Sequence, residues 1–346
     1  MKRYSANLEG AGLNSSVWLV GRHGGSLGTG HLSRLFSIAE WLVGEGYSTV
    51  CLTNSTDNLF VERLEAIGTT ILISEGLDPF QLDIPNGLSY PNWCILDGDT
   101  ITNEEELEIK GFLNCRTVRI TDYPRNYAVS DCLVNQNHGS EEFDYRPVEN
   151  QLRFFGLKNV ILRSNIRNVN KGKRSAANKL VTVTLGMSNL PQTNSFIERV
   201  VTLFSEPHMN DTQVHIFSPN KSCVASLTEG QANLHSFGFS DRLAGSMQLS
   251  NFLICSAGTT MWESMALGIP FLPVCLTKEQ DDYVKRLEED ELCIAVLSSG
   301  SNPRLGSFER VIEIYQSEIY FEQQVRAFDS YLPETYFEDI ATILNQ

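Results

Sequence analysis

The chain has 346 residues, of which 42% are hydrophobic and 20% charged, and its formal net charge is −15. That length fits two globular domains, each able to bury a core without disulfide staples. The acidic balance argues against non-specific binding to nucleic acid or to an anionic membrane face, since both need basic surface, but it leaves room for a small basic pocket around a diphosphate.

Residues 16–20 (SVWLV) read as a first strand. A glycine-rich turn follows at 21–30, then a helix over 31–44 whose Leu32, Leu35, Phe36, Ile38, Ala39 and Leu42 lie near one face. Further strands are predicted at 49–53, 70–74, 93–96 (ending on Asp97), 117–121 and 132–135, with helices at 59–66 and 104–112. The rhythm then repeats. Strands at 180–185 (ending on Gly186), 213–218, 252–256, 271–274 and 294–297 alternate with helices at 194–204, 240–250, 260–267 and 278–290, and 309–343 is mostly helical. Strands alternating with helices specify βαβ units and parallel sheets. The stretch 165–178 (NIRNVNKGKRSAAN) is poor in apolar residues and locally basic, so it reads as a linker between a domain at 1–165 and one at 166–346. The expected fold class is α/β: two facing Rossmann-like domains with a ligand cleft between them.

No run of about 18 apolar residues occurs, and residues 1–16 lack the apolar stretch of a signal peptide. The eight cysteines, Cys51, Cys94, Cys115, Cys132, Cys223, Cys255, Cys275 and Cys293, show no CxxC spacing, so no zinc site or redox pair is predicted. Most lie in apolar runs and read as buried residues of a reducing compartment, with the cytoplasm as the expected location.

Two stretches carry chemistry. In the first, residues 24–31 (GGSLGTGH), glycines after a strand let the backbone approach a ligand, and the opening of a helix favours negative charge. The pattern lacks the acidic partner of a dinucleotide fingerprint and the lysine of a P-loop. His31, in the first helical turn at the carboxyl end of strand one, is the candidate base; the helix N-terminus disfavours its cation. A role in capping or packing is the alternative. The second stretch, residues 256–263 (SAGTTMWE), has the same strand, small-residue turn and helix. Its amides can donate to phosphate, and Glu263 is placed to accept from ribose hydroxyls or simply to favour the helix dipole. Residues 277–280 (TKEQ) form a polar loop after a strand. Asp97 and Asp99 are a candidate acid pair, with a magnesium-binding pair as a weaker reading; Asp122, Tyr123 and residues 135–138 (NQNH) end neighbouring strands. No GxSxG elbow supports a serine triad.

Residues 26–34 (SLGTGHLSR), 121–145, 183–194 and 255–270 (CSAGTTMWESMALGIP), with the polar loop ending in Gln280, come in an order that resembles the UDP-sugar hydrolase of pseudaminic acid biosynthesis. They also look like the wider group of spore-coat-polysaccharide-type predicted glycosyltransferases, related to the lipid-linked N-acetylglucosaminyltransferase of peptidoglycan synthesis. The resemblance covers about residues 16–300. It implies a GT-B fold, a UDP-linked amino or deoxy sugar as substrate, and metal-independent attack at the anomeric carbon without a cofactor. It implies His31 as base, Gly28 and Gly30 around the sugar and phosphates, and Ser256, Gly258, Thr259 and Thr260 on the diphosphate. Glu263 would bind the ribose and Gln280 the sugar or phosphate. The sequence departs from that pattern at Arg22-His23-Gly24, where the family's Asp is missing, at Asp97-Gly98-Asp99 in place of Asp-His-Tyr, and at Gly186-Met187 in place of Gly-Gly. Asp99 thereby becomes an alternative base. Hydrolysis is the leading expectation, glycosyl transfer to an acceptor hydroxyl the second, and a non-catalytic nucleotide-sugar binder the third.

Overall fold

The computed structural model describes residues 15–22, 30–55, 58–74, 84, 87–98, 100–127, 129–169, 179–186, 191–238, 242–293, 297–298 and 318–345. The chain divides into two compact units at Arg163 and Ser164, and the segment from Thr335 onward returns to the first.

In the first unit the order along the chain is β1 (Ser16–Gly21), α1 (Gly30–Gly44), β2 (Ser48–Thr53), α2 (Asn58–Ala66), β3 (Thr70–Ile73), β4 (Trp93–Asp97), α3 (Asn103–Leu113), β5 (Arg116–Ile120), β6 (Cys132–Asn135) and β7 (Leu152–Phe155). The seven strands form one parallel sheet in the order β3-β2-β1-β4-β5-β6-β7. β1, β4 and β6 are buried along their whole length, which is why they read as continuous apolar runs. On one face Leu32, Leu35, Ile38, Ala39 and Leu42 of α1 join Val17, Leu19, Ile95 and Val118. On the other, Ile109 and Leu113 of α3 cover Trp18, Val20, Cys94 and Leu96. Gly21 permits this packing: a Cβ there would lie 2.2 Å from the Leu35 side chain. A capping box starts α3, with Thr102 Oγ1 accepting from the Glu105 amide at 3.2 Å and the Glu105 carboxylate accepting from the Thr102 amide at 2.8 Å.

The second unit runs α4 (Ser164–Arg167), β8 (Leu180–Thr184), α5 (Pro191–Phe204), β9 (Gln213–Phe217), α6 (Lys221–Thr228), β10 (Leu234–Phe237), α7 (Arg242–Leu249), β11 (Phe252–Ser256), α8 (Thr259–Ala266), β12 (Phe271–Cys275), α9 (Lys278–Glu289), β13 (Leu297–Ser298) and α10 (Glu318–Tyr331). Its six parallel strands are ordered β10-β9-β8-β11-β12-β13. Counted within each unit, the second sheet follows 3-2-1-4-5-6 and the first the same order with a seventh strand beyond it, the doubly wound order whose direction reverses between the first and fourth strands. α11 (Glu338–Leu344) closes the chain. Phe337, Ile340 and Ile343 enter the first unit's core, and Phe337 stacks on Trp41 with ring centroids 5.0 Å apart. This is where the last residues differ from their predicted grouping with the second half. The helical expectation for 309–343 is met by α10 and α11, with Pro333 in the break between them; residues 309–317 lie outside the described residues, as do 294–296 of the predicted final strand. β7, α4, α6 and β10 are additions to the predicted elements, α4 lying at the start of the stretch read as a linker.

Candidate functional site

The switch point of a doubly wound sheet leaves a crevice outside the carboxyl ends of its first and fourth strands, where ligands bind. In the first unit the register pairs Gly21, the last residue of β1, with Asp97, the last residue of β4. His31, in the first turn of α1, meets Asp97 there: its Nδ1 lies 2.7 Å from Asp97 Oδ1. The histidine side chain is 27% exposed and Asp97 is fully buried.

Arg34, one turn further along α1, is 3% exposed and forks two ways. Its Nε and Nη2 donate to Asp97 Oδ2 and Oδ1, each at 2.8 Å. Its Nη1 and Nη2 donate to Asp122 Oδ1 and Oδ2, at 2.5 and 2.9 Å. Arg34 Nη2 also lies 2.7 Å from His31 Nδ1, so two neighbours compete for that ring nitrogen. The hydrogen count decides between them. Nη2 carries two hydrogens, and both already point at carboxylate oxygens. Carboxylate oxygens are the stronger acceptors for those hydrogens, so we assign His31 Nδ1 as the donor to Asp97. That assignment fixes the tautomer and puts the basic lone pair on Nε2.

The electrostatics agree with the geometry. Burial would raise the Asp97 pKa, but the charges of Arg34 and His31 and their hydrogen bonds outweigh it, so the carboxyl stays below its usual range. Burial likewise works against the Arg34 cation, and Asp122 and Asp97 outweigh it, holding the guanidinium charged. The network continues through Asn137, whose Nδ2 donates to the Asp122 backbone and side-chain oxygens at 3.3 Å. Asn137 is oriented by Asn135, whose Oδ1 accepts from the Asn137 amide at 2.9 Å and whose Nδ2 donates to Tyr145 Oη at 2.7 Å. The turn after β4 is tied down by Arg119, which donates to the Gly98 and Ile101 carbonyls at 3.0 and 2.6 Å.

The corresponding switch point of the second unit is built from small residues. Gly186 follows β8 with φ +69°, a left-handed conformation that favours glycine. A Cβ there would stand 3.7 Å from the Ser256 hydroxyl at the end of β11, so Gly186 and Ser256 are neighbours. Gly258 is the N-cap of α8 with φ −152° and no side chain to satisfy the first-turn amides of Thr259 and Thr260. Nothing lies within 4 Å of where a Gly258 Cβ would be. Glu263 is buried, at 2% exposed. Gln280 closes a capping box at the start of α9: its Oε1 accepts from the Leu276 amide at 2.7 Å and from Thr277 at 3.3 Å. Its oxygen is thus engaged in the turn after β12, and its Nε2 is the group it would offer a ligand.

Among the predicted site residues, then, the structure brings His31 to Asp97 and Gly186 to Ser256. Gly30 opens α1, and Gly28 and Asp99 lie outside the described residues. Arg34 was not singled out by the sequence reading. Its signal was the spacing of three from His31, which puts both on one face of a helix. Among the described residues no group of three or more His, Cys, Asp and Glu side chains is placed to hold a metal ion, and both oxygens of Asp97 are taken by His31 and Arg34.

No family model matches the chain. A curated relative, described as an uncharacterized protein of Methanocaldococcus jannaschii, is 22% identical over 77% of this chain and 57% of its own length. The chain spans little more than half of that relative. Among solved structures, it is similar to the MurG protein of Acinetobacter baumannii (13% identity, 95% and 99% of the two chains covered, TM-score 0.63). It is similar to UGT2 of Phytolacca americana, solved with UDP-2-fluoroglucose and pterostilbene (11%, 96% and 100%, 0.63). It is similar also to the UDP-GlcNAc 2-epimerase of Neisseria meningitidis bound to UDP-GlcNAc (12%, 96% and 100%, 0.60). At these identities the likeness shows the fold: two Rossmann-like α/β units of the GT-B type.

Proposed function

We propose that this protein is an enzyme of a nucleotide-linked sugar, with a UDP-sugar as donor, which transfers the sugar to an acceptor hydroxyl and releases UDP. The observation that carries the reading is the buried Asp97 accepting from His31 Nδ1 at the switch point of the first sheet. A histidine held in that tautomer is built to take a proton through Nε2, and Asp97 steadies the imidazolium that results. The O–H proton of the acceptor passes to Nε2 as its oxygen bonds to the anomeric carbon, and the bond from that carbon to the diphosphate breaks. Ser256, Gly258, Thr259 and Thr260 are assigned to the departing diphosphate, whose charge suits the turn amides and the start of α8. Glu263 is assigned to the ribose and Gln280 to the sugar or phosphate. The reading routes no step through a metal ion. Two similar folds, solved with UDP-2-fluoroglucose and with UDP-GlcNAc, support it.

Water in place of the acceptor is the second reading, and the sequence resemblance to a UDP-sugar hydrolase favours it. Two measurements test the proposal. Titration with UDP, CMP, GDP and NAD is expected to raise the melting temperature with UDP, because a ligand of the native state stabilises it by mass action; no shift with any nucleotide overturns the nucleotide assignment. UDP release from a panel of UDP-sugars is then expected to depend on an added acceptor. Equal release without acceptor assigns the chemistry to hydrolysis.

A further inference from the structure

At the amino-terminal edge of the first sheet, opposite its switch point, lies a cavity of about 740 Å³ walled in part by Asn92, Trp93, Lys110, Asn114, Arg116 and Leu344. Small-molecule pockets span about 300–1,000 Å³, so the volume suits a metabolite. The first residues of β4 and β5 build the wall: the register pairs Trp93 with Arg116, and the Arg116 amide donates to the Asn92 carbonyl at 2.9 Å. Trp93 and Asp97 stand at opposite ends of β4, about 13 Å apart at the rise of a strand, so this cavity is distinct from the crevice at His31.

Two features of the wall call for an acceptor. The Trp93 side chain is 2% exposed, and its indole N–H is buried without a hydrogen-bond partner. A buried donor left unpaired is costly, and native structures keep few of them. Above the same ring, 4.1 Å from its centroid, lies the Arg116 guanidinium carbon. The ring contact engages the face of the guanidinium, and its N–H donors lie in the plane, free to fork onto an oxyanion. Among the described residues Arg116 has no carboxylate or carbonyl partner. Lys110, by contrast, is taken, donating to the Val129 carbonyl and the Asp131 carboxylate, each at 2.8 Å. The Asp131 carboxylate is also bonded by the Thr117 amide. In a chain of net charge −15, Arg116 is thus a cation at a cavity wall with no anion set against it. Leu107, 53% exposed, and Leu344 supply apolar wall on either side.

We propose that this cavity binds a small molecule carrying a carboxylate or phosphate group on an apolar body. The oxyanion accepts from the Arg116 guanidinium and from the Trp93 indole N–H, which relieves the unpaired donor, and the apolar body lies against Leu107 and Leu344. The exposed side-chain amides of Asn92 and Asn114 are further donors on the same wall. The site is independent of the nucleotide-sugar reading, since none of its residues belongs to either switch point.

The test is isothermal titration of the full chain with phenyl phosphate, with benzoate, and with benzamide as the uncharged counterpart of benzoate. Saturable binding of phenyl phosphate or benzoate is expected, with benzamide at least about tenfold weaker; the tighter of the two anions names the head group. Arg116→Gln, at an exposed position, should fold as wild type and weaken the anion about tenfold or more. Trp93→Phe keeps an aromatic face under Arg116 and removes only the indole donor, and it should weaken the anion several-fold. Absence of saturable binding to the wild type, benzamide binding as tightly as benzoate, or unchanged anion affinity in folded Arg116→Gln overturns the proposal. Anion binding that survives Arg116→Gln in full would place the oxyanion elsewhere, the start of α8 included.

Discussion

The two sheets share one strand order, yet their switch points carry opposite chemistry. In the first unit the crevice is closed by charge: Arg34 sits between Asp97 and Asp122, and His31 leans on Asp97. In the second unit the same topological position holds Gly186, Ser256 and Gly258, with open space at Gly258. Topology therefore decides where a ligand can approach, and the side chains at the strand ends decide what it meets. On the proposed reading the first site handles the proton at His31, and the second offers the backbone amides at the start of α8 to an anion.

The sharpest way to break that comparison is at His31. If the first site handles the proton, His31→Ala should lower turnover about 10²–10⁴-fold while the melting temperature stays near wild type. Asp97→Asn should lower turnover comparably, because its amide group would donate to Nδ1 and move the ring proton onto Nε2. A folded His31→Ala protein with near-full turnover would remove the base from the first unit.

Arg34 comes next. Arg34→Met leaves Asp97 and Asp122 facing each other without their shared cation. Removing one partner of a buried ionic cluster costs about 3–5 kcal/mol, so chemical denaturation should show a loss of that order. A loss under about 1 kcal/mol would mean that water has taken over the role of the guanidinium. The same site should also respond to acid. The folded pKa of Asp97 lies below its ordinary value of 3.8, so its contribution is fully present above about pH 4 and is lost as pH falls through the lower folded value. Wild type should therefore lose melting temperature more steeply below about pH 4 than Asp97→Asn does.

Much of this was legible in the sequence because parallel strands, buried on both faces, announce themselves as apolar runs. Residues 16–20, 49–53, 132–135 and 252–256 lie within or match observed strands to within a residue. β10 (LHSF) was not legible, since a short edge strand with polar residues has no run to show, and α6 has too few apolar positions to declare a face. At the site, His31 and Asp97 were visible as strand-end and helix-start residues. Their pairing was not, because it depends on β1 and β4 being neighbours although 71 residues separate Gly21 from Trp93 by number less one, a matter of tertiary order rather than local pattern. Arg34 was hidden for a related reason: a lone arginine on a helix reads as surface charge until the two carboxylates that bury it are placed.

The smallest stability change should accompany the most selective loss of binding, at Gly258. Its φ of −152° is open to any residue, and a Cβ there meets nothing within 4 Å. Asp is also a favoured N-cap, whose carboxylate can accept from the first-turn amides of α8. Gly258→Asp should therefore leave stability within about 1 kcal/mol of wild type, or raise it. The same carboxylate would occupy the amides and repel a diphosphate, so the thermal shift with UDP should disappear. Stability held and the UDP response lost would assign the anion to the second switch point and leave the proton to the first. A UDP response that survives in a stable Gly258→Asp protein would mean that the two crevices do not divide the work in this way, and that the phosphates are held elsewhere.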